Sequence, residues 1–159
     1  MKKNLFIIVP VLILALTACA QTKKSTSKAK KQMDLEYVSM KRTACFGRCP
    51  VYAIELYKDG TLKYHGINFV DDSGVYQKKI SIAAAEKMLD KFRQYRIDTC
   101  KEQYDLLIAD LPGIFYEYTI AGTEHKISNA NWGPEFLKEL ATDMDSLAGT
   151  SRRGWKKIN

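Results

Sequence analysis

Two alternating runs joined by an Asp-Gly turn constrain this chain more than any other stretch. Val51-Tyr-Ala-Ile-Glu-Leu-Tyr57 is rich in strand-favouring residues and places Tyr52, Ile54 and Leu56 on one face. Lys58-Asp59-Gly60 follows, and Thr61 to Gly66 returns with Leu62 and Tyr64. An Asp-Gly pair between alternating runs is a strong hairpin signal, because the glycine takes the positive φ that the turn needs. The chain must therefore contain an antiparallel sheet. Tyr37 to Arg42 adds a short, weak strand signal before the hairpin, and Val75 to Ile80 adds another after the turn at Asp71-Asp72-Ser73-Gly74.

The periodicity then changes from two to 3.6. Ser81 is suited to cap a helix, and Ile82, Ala85, Met88, Leu89, Phe92 and Tyr95 fall at helical spacing behind it. A less regular stretch runs from Ile97 to Leu111 and stops at Pro112-Gly113. Ile114 to Ala121 alternates again, and Glu124 to Ser128 returns as its partner after Gly122-Thr123. Gly133-Pro134 opens a last helix with Phe136, Leu137, Leu140, Met144 and Leu147 on its apolar stripe, and Gly149 ends it. Hairpins followed by helices predict an α+β fold, an antiparallel sheet of about five to six strands with two helices packed on one face. Whether the two groups of strands join into one sheet is not legible in the pattern.

Charge divides the chain into parts. The net charge of +7 comes from the ends. Residues 20–33 carry Lys23, Lys24, Lys28, Lys30 and Lys31 without an acid, and residues 149–159 carry Arg152, Arg153, Lys156 and Lys157 without an acid. Between them, residues 34–148 hold 14 basic and 18 acidic residues. A mildly acidic body argues against nucleic acid as a partner, since such domains carry a basic face on the fold itself. The expected division is a leader over 1–18, a flexible basic linker over 19–33 with a reach of roughly 20 Å, one domain over 34–148 and a flexible basic tail over 149–159.

The leader explains the linker. Met1-Lys2-Lys3-Asn4 is a short positive start, and Leu5 to Ala18 is an apolar run broken by Pro10. That run is shorter than the roughly 20 residues a membrane-spanning helix needs and has the pattern of a secretory signal peptide. Leu16-Thr17-Ala18-Cys19 resembles the lipobox of bacterial lipoproteins. The resemblance implies cleavage before Cys19, with acyl chains on its thiol and on the new amino terminus. Several acyl chains on one residue anchor stably, where one anchors only marginally. The membrane is thus an expected partner through the N-terminal lipid.

The sharpest local feature is Thr43-Ala-Cys45-Phe-Gly-Arg-Cys49-Pro-Val-Tyr52. Exported proteins meet an oxidising compartment, and a tight turn can bring the α-carbons of Cys45 and Cys49 within bridging distance. A disulfide there would pin the turn entering the strand at Val51. A reversible redox centre is the alternative, with Arg48 lowering a thiol pKa. Against that, the spacing is Cys-x-x-x-Cys and a strand, not a helix, follows. Cys100 is either free or bridged to one of the pair. The run Cys-Phe-Gly-Arg-Cys-Pro-Val-Tyr, the hairpin after it and Asp-Leu-Pro at 110–112 resemble an uncharacterised, lipoprotein-type family of Gram-negative bacteria classed as a domain of unknown function. The resemblance implies a small exported α+β domain and no activity.

No Gly-x-Ser-x-Gly, His-Glu-x-x-His or phosphate loop occurs, and neither His65 nor His125 has the spacing of a zinc motif with the cysteines. No catalytic residue, metal or cofactor is therefore expected. Candidate binding residues are Asn129, Asn131 and Trp132, which gather amides and an indole before a helix, together with Arg48. Tyr57, Tyr64, Tyr116 and Tyr118 form either an exposed aromatic strip or the edge of the core. The functional expectation is a lipid-anchored cell-envelope protein, placed on the outer membrane facing the periplasm, that binds an envelope protein or polymer. The competing expectation is a thiol-disulfide oxidoreductase using Cys45 and Cys49.

Overall fold

The Asp-Gly hairpin is the nucleus of the sheet in a computed structural model of the chain, which describes residues 32–108, 110–149 and 153–158. β2 (Val51–Tyr57) and β3 (Thr61–Asn68) pair antiparallel in the register Leu56↔Leu62 and Ile54↔Tyr64. Gly60 takes φ +82°, and Asp59 accepts the Thr61 amide at 2.8 Å. The expected leader, Cys19 and the linker as far as Lys31 lie outside the described residues, as does Arg152 in the tail.

Around this hairpin stand β1 (Leu35–Arg42), β4 (Gly74–Lys79), β5 (Ile114–Ile120), β6 (Thr123–Ile127) and β7 (Lys156–Lys157). They form one antiparallel sheet in the order β6-β5-β1-β2-β3-β4-β7. One open point is closed and one expectation is corrected. The weak run at Tyr37–Arg42 is an eight-residue strand between β2 and β5, and it joins the two strand groups into one sheet. Among the described residues the strand count is seven, above the expected five to six, because the tail expected to be flexible supplies β7. Lys156 and Lys157 pair with Gln77 and Tyr76, and Trp155 packs its ring against Tyr64 at 6.4 Å.

α1 (Ile82–Gln94) starts at Ser81, whose hydroxyl accepts the Ala84 amide at 3.1 Å, and buries Ala85, Met88, Leu89 and Phe92. α2 (Phe136–Ala148) buries Leu137, Leu140, Ala141 and Met144. On the sheet, Val38, Met40, Ile54, Leu56, Leu62, Tyr64, Tyr116 and Tyr118 alternate inward and are buried. Tyr116 meets both helices: its ring stands edge-on to Phe92 at 5.8 Å, and its hydroxyl donates to the Leu137 carbonyl at 2.6 Å. The tyrosines expected to act together divide between the faces. Tyr64, Tyr116 and Tyr118 belong to the core, while Tyr57 points the other way and pairs with Tyr37 at 4.8 Å. The helix expected to begin at Pro134 starts at Phe136, with Pro134 accepting the Leu137 amide just ahead of it.

Candidate functional site

Strand order sends the two ends of the sheet different connections. At one end lie the tight turns at 58–60 and 121–122. At the other lie the loops 43–50, 69–73 and 100–113, which include the cysteine motif.

Hydrogen bonds tie the motif loop to the loop that precedes β5. Thr43 N donates to Gly113 O at 3.1 Å, Gly113 N donates to Thr43 Oγ1 at 2.8 Å, and Phe46 N donates to Asp110 O at 3.3 Å. A Cβ on Gly113 would sit 2.9 Å from Thr43 Oγ1 and from the Phe115 ring, so the close approach needs glycine. Cys45 and Cys49 form a disulfide with α-carbons 5.7 Å apart, and Gly47 N reaches Cys45 Sγ at 3.3 Å. Closing so short a loop holds Phe46 at its tip, with 90% of that residue exposed. The Arg48 guanidinium stands 5.5 Å from the centre of the Phe69 ring.

Phe46 has apolar company. Ten large apolar residues are exposed among the described residues, and seven of them lie on or beside these loops. They are Phe46, Ile67 and Phe69 on one side, and Leu106, Leu107, Ile108 and Leu111 on the other. A folded surface gains nothing by leaving such groups in water, so their concentration at one end is the feature of this surface that calls for an explanation. None of these residues was a candidate in the sequence. The available signal was Leu106-Leu107-Ile108, three consecutive apolar residues in a stretch without helical or strand period.

The rim is braced from beneath. Asp145 of α2 accepts from Arg42 Nη2 at 2.6 Å and Nε at 3.1 Å, and from the Tyr52 hydroxyl at 2.6 Å. Burial disfavours the Arg42 charge, but the Asp145 carboxylate outweighs it and the guanidinium pKa is raised. Burial and then the Asp145 carboxylate push the Tyr52 phenol well above its usual value. Beside this triad a cleft of about 440 Å³ is lined by Pro50, Tyr52, Tyr64, Phe69, Asp71, Asp72 and Asp145. Its lining is aromatic and acidic. A groove of about 870 Å³ lies toward the turn end, with Tyr37, Tyr57, Glu117, Glu124 and Lys126 in its lining. There burial and the Glu55 carboxylate, which accepts the Tyr57 hydroxyl at 2.8 Å, push the Tyr57 pKa up to about 12.

The sequence candidates are dispersed. Asn131 Oδ1 accepts the Ile114 amide at 3.1 Å, and Asn129 Nδ2 donates to Tyr104 O at 3.0 Å, so both amides brace loops. Trp132 is half-buried in a short 3₁₀ turn, and its indole nitrogen is buried without a hydrogen-bond partner among the described residues. Cys100 is a free, half-buried thiol whose pKa burial raises, the opposite of an activated nucleophile. Pro50 leads directly into β2, so a strand and not a helix follows the disulfide. His65 and His125 are exposed on strands, and His125 stacks on Tyr118 at 5.2 Å. No group of three or more His, Cys, Asp or Glu side chains is placed to hold a metal among the described residues.

Residues 36–148 match the family described as a domain of unknown function, DUF6438. The chain belongs to that family. The match begins inside β1 and ends with α2, so it takes in the sheet except β7, both helices and the disulfide loop. No curated protein matches the chain.

Proposed function

We propose that this DUF6438 protein is a lipid-anchored, non-enzymatic binding module of the cell envelope that seats a protein segment on the apolar rim around Phe46. One observation carries this: seven of the ten large apolar residues exposed among the described residues lie on or beside the loops at one end of the sheet, where a disulfide, two backbone hydrogen bonds and one from Gly113 to the Thr43 hydroxyl fix the motif loop. The fringe suggests the chemistry of the partner. Asp71, Asp105 and Asp110 are exposed around the rim. An acidic fringe repels anionic lipid headgroups and suits apolar side chains flanked by Lys or Arg. With both helices on the Met40 face, the opposite face of the sheet stays open as a smaller second contact area.

The lipobox resemblance at Leu16–Cys19 supports anchoring in the outer membrane with the domain in the periplasm. Cys19→Ser is expected to abolish labelling by radioactive palmitate and to release the protein from membranes. Retained label in that variant would end the anchoring proposal.

A photo-reactive residue placed at Phe46 or Leu107 in cells tests the rim. We expect one discrete cross-linked species from both positions, lost in Leu106→Ser/Ile108→Ser, and none from Lys79 at the turn end. Equal products from both ends, or none from the rim, would reject the surface. Redox trapping separates the oxidoreductase alternative. A structural Cys45–Cys49 bond is expected to stay closed until buffers fall below about −300 mV, whereas opening near about −120 to −200 mV would place the pair among redox enzymes.

A further inference from the structure

β6 is an edge strand, and its free edge is short, ordered and patterned. Ala121 and Gly122 take φ +48° and +78° between the paired residues Ile120 and Thr123, a two-residue hairpin in which those partners exchange hydrogen bonds. Backbone groups of Thr123, His125 and Ile127 therefore turn toward β5, and those of Glu124 and Lys126 turn outward. Ser128 confirms the parity: its amide donates outward to Glu102 O at 2.8 Å, and its carbonyl accepts the Tyr104 amide at 3.1 Å. That segment covers the edge only at Ser128. Two outward N–H and two outward C=O groups remain, with His125 at their centre.

Unprotected edges recruit strands, and natural edges are usually blunted by proline, bulges or like charge. This one has neither proline nor bulge, and its outward-paired residues carry opposite charges. Glu124 and Lys126 are exposed and share the open face of the sheet, and neither forms an ion pair among the described residues.

We propose that β6 pairs antiparallel with β6 of a second copy of this chain, about a two-fold axis at His125. In that register Glu124 faces Lys126 of the partner copy, and Lys126 faces its Glu124. Both are hydrogen-bonded pairs, so the four free backbone groups on each chain are satisfied. Each pair also sets opposite charges directly across from one another on the open face. His125 faces its own copy in a non-hydrogen-bonded pair. Centring on Glu124 instead would oppose like charges, and centring on Lys126 would require Ser128, which is already paired. The occupant is a second copy because the edge is complementary to itself in this register alone. The paired residues Glu124 and Lys126 are distinct from the apolar residues of the rim, so the dimer does not rest on that reading.

Sedimentation of the full chain in density-matched detergent tests it. The native protein is expected to show a concentration-dependent monomer–dimer equilibrium. Glu124→Lys makes both pairs Lys–Lys, and Lys126→Glu makes both Glu–Glu, so each alone should weaken association at least about tenfold. An equimolar mixture of the two variants should recover the dimer, because every pair across the axis is then opposite in sign. A native protein that stays monomeric to millimolar concentration, or variants that associate as the native chain does, would overturn the proposal. A cross-link adds a second readout. In a Cys100→Ser background, His125→Cys should oxidise to a covalent dimer, since non-hydrogen-bonded partners lie about 4.5 Å apart. Thr123→Cys should not, and equal cross-linking of both would also overturn it.

Discussion

The two ends of the sheet are built by different means. At the turn end, three residues close β2 to β3 and two close β5 to β6, with glycines at positive φ and polar side chains in water. At the loop end the connections are longer, several apolar side chains face water, and a disulfide and an ion-paired triad hold the frame. The turn end rests on backbone conformation and an exposed Lys79–Asp59 ion pair, the loop end on a disulfide and a part-buried ion pair. Loops fixed to a rigid sheet are where proteins place recognition, since the scaffold carries the cost of holding them.

Substitutions of graded severity sharpen that contrast. Asp145→Ala removes the shared acceptor of Arg42 and Tyr52, and we expect a loss of roughly 3 kcal/mol in urea unfolding. Gly60→Ala is the largest change at the turn end. It forces a side chain to positive φ and brings Cβ to 2.5 Å from the Ile80 carbonyl, so roughly 2–3 kcal/mol is expected. Gly122→Ala, with open space around it, should cost only about 1 kcal/mol. Cys45→Ser/Cys49→Ser should cost roughly 2 kcal/mol by loop closure, while hydrogen exchange rises in 43–50 and not in 58–60. Equal exchange at both ends would erase the distinction drawn here.

Acid probes the turn end. At the turn end, hydrogen bonds from Lys79 and from the Thr61 amide hold the Asp59 carboxyl far below its usual range. A depressed carboxylate contributes stability that is complete above its unfolded pKa of about 4 and is lost as pH falls below it. Thermal unfolding of the native chain should therefore fall with pH below about 4, and Asp59→Asn should make that fall shallower. The smallest stability effects belong to the rim itself. Phe46→Ser and Leu107→Ser should change stability by no more than about 0.5 kcal/mol, as exposed positions do, while abolishing the rim cross-link. A large stability loss in either would mean that these side chains serve the fold.

Much of the fold was legible because local chemistry and tertiary need agree. Asp59-Gly60 marks its own turn, Ser81 marks its own helix, and the inward alternation of Ile54, Leu56, Leu62 and Tyr64 follows from composition. β1 alternates as a strand does but offers only Val38 and Met40 as apolar residues between Tyr37 and Arg42, and only its pairing with β2 and β5 makes it central. β7 has no local signal, since two lysines next to a tryptophan pair with β4 through contacts distant in sequence. The site divides the same way. The Cys45–Cys49 bridge is suggested by spacing and compartment, whereas the gathering of Phe46 with Leu106–Leu111 depends on a pairing of β1 with β5 across some 70 residues. Asn129 and Asn131 misled because amides suit loop bracing as well as they suit ligands.

The placement of β1 has a mechanical consequence. The segment expected to tether the chain enters at Asp34, and the rim begins where the same strand ends, after Arg42. Tension between a membrane anchor and a bound partner would run along β1 from one end to the other. Its hydrogen bonds to β2 and β5 lie across that line, so the pull shears both ladders at once and does not unzip them bond by bond. If the anchor and the rim partner are as proposed, the central strand is the one that carries the load between them.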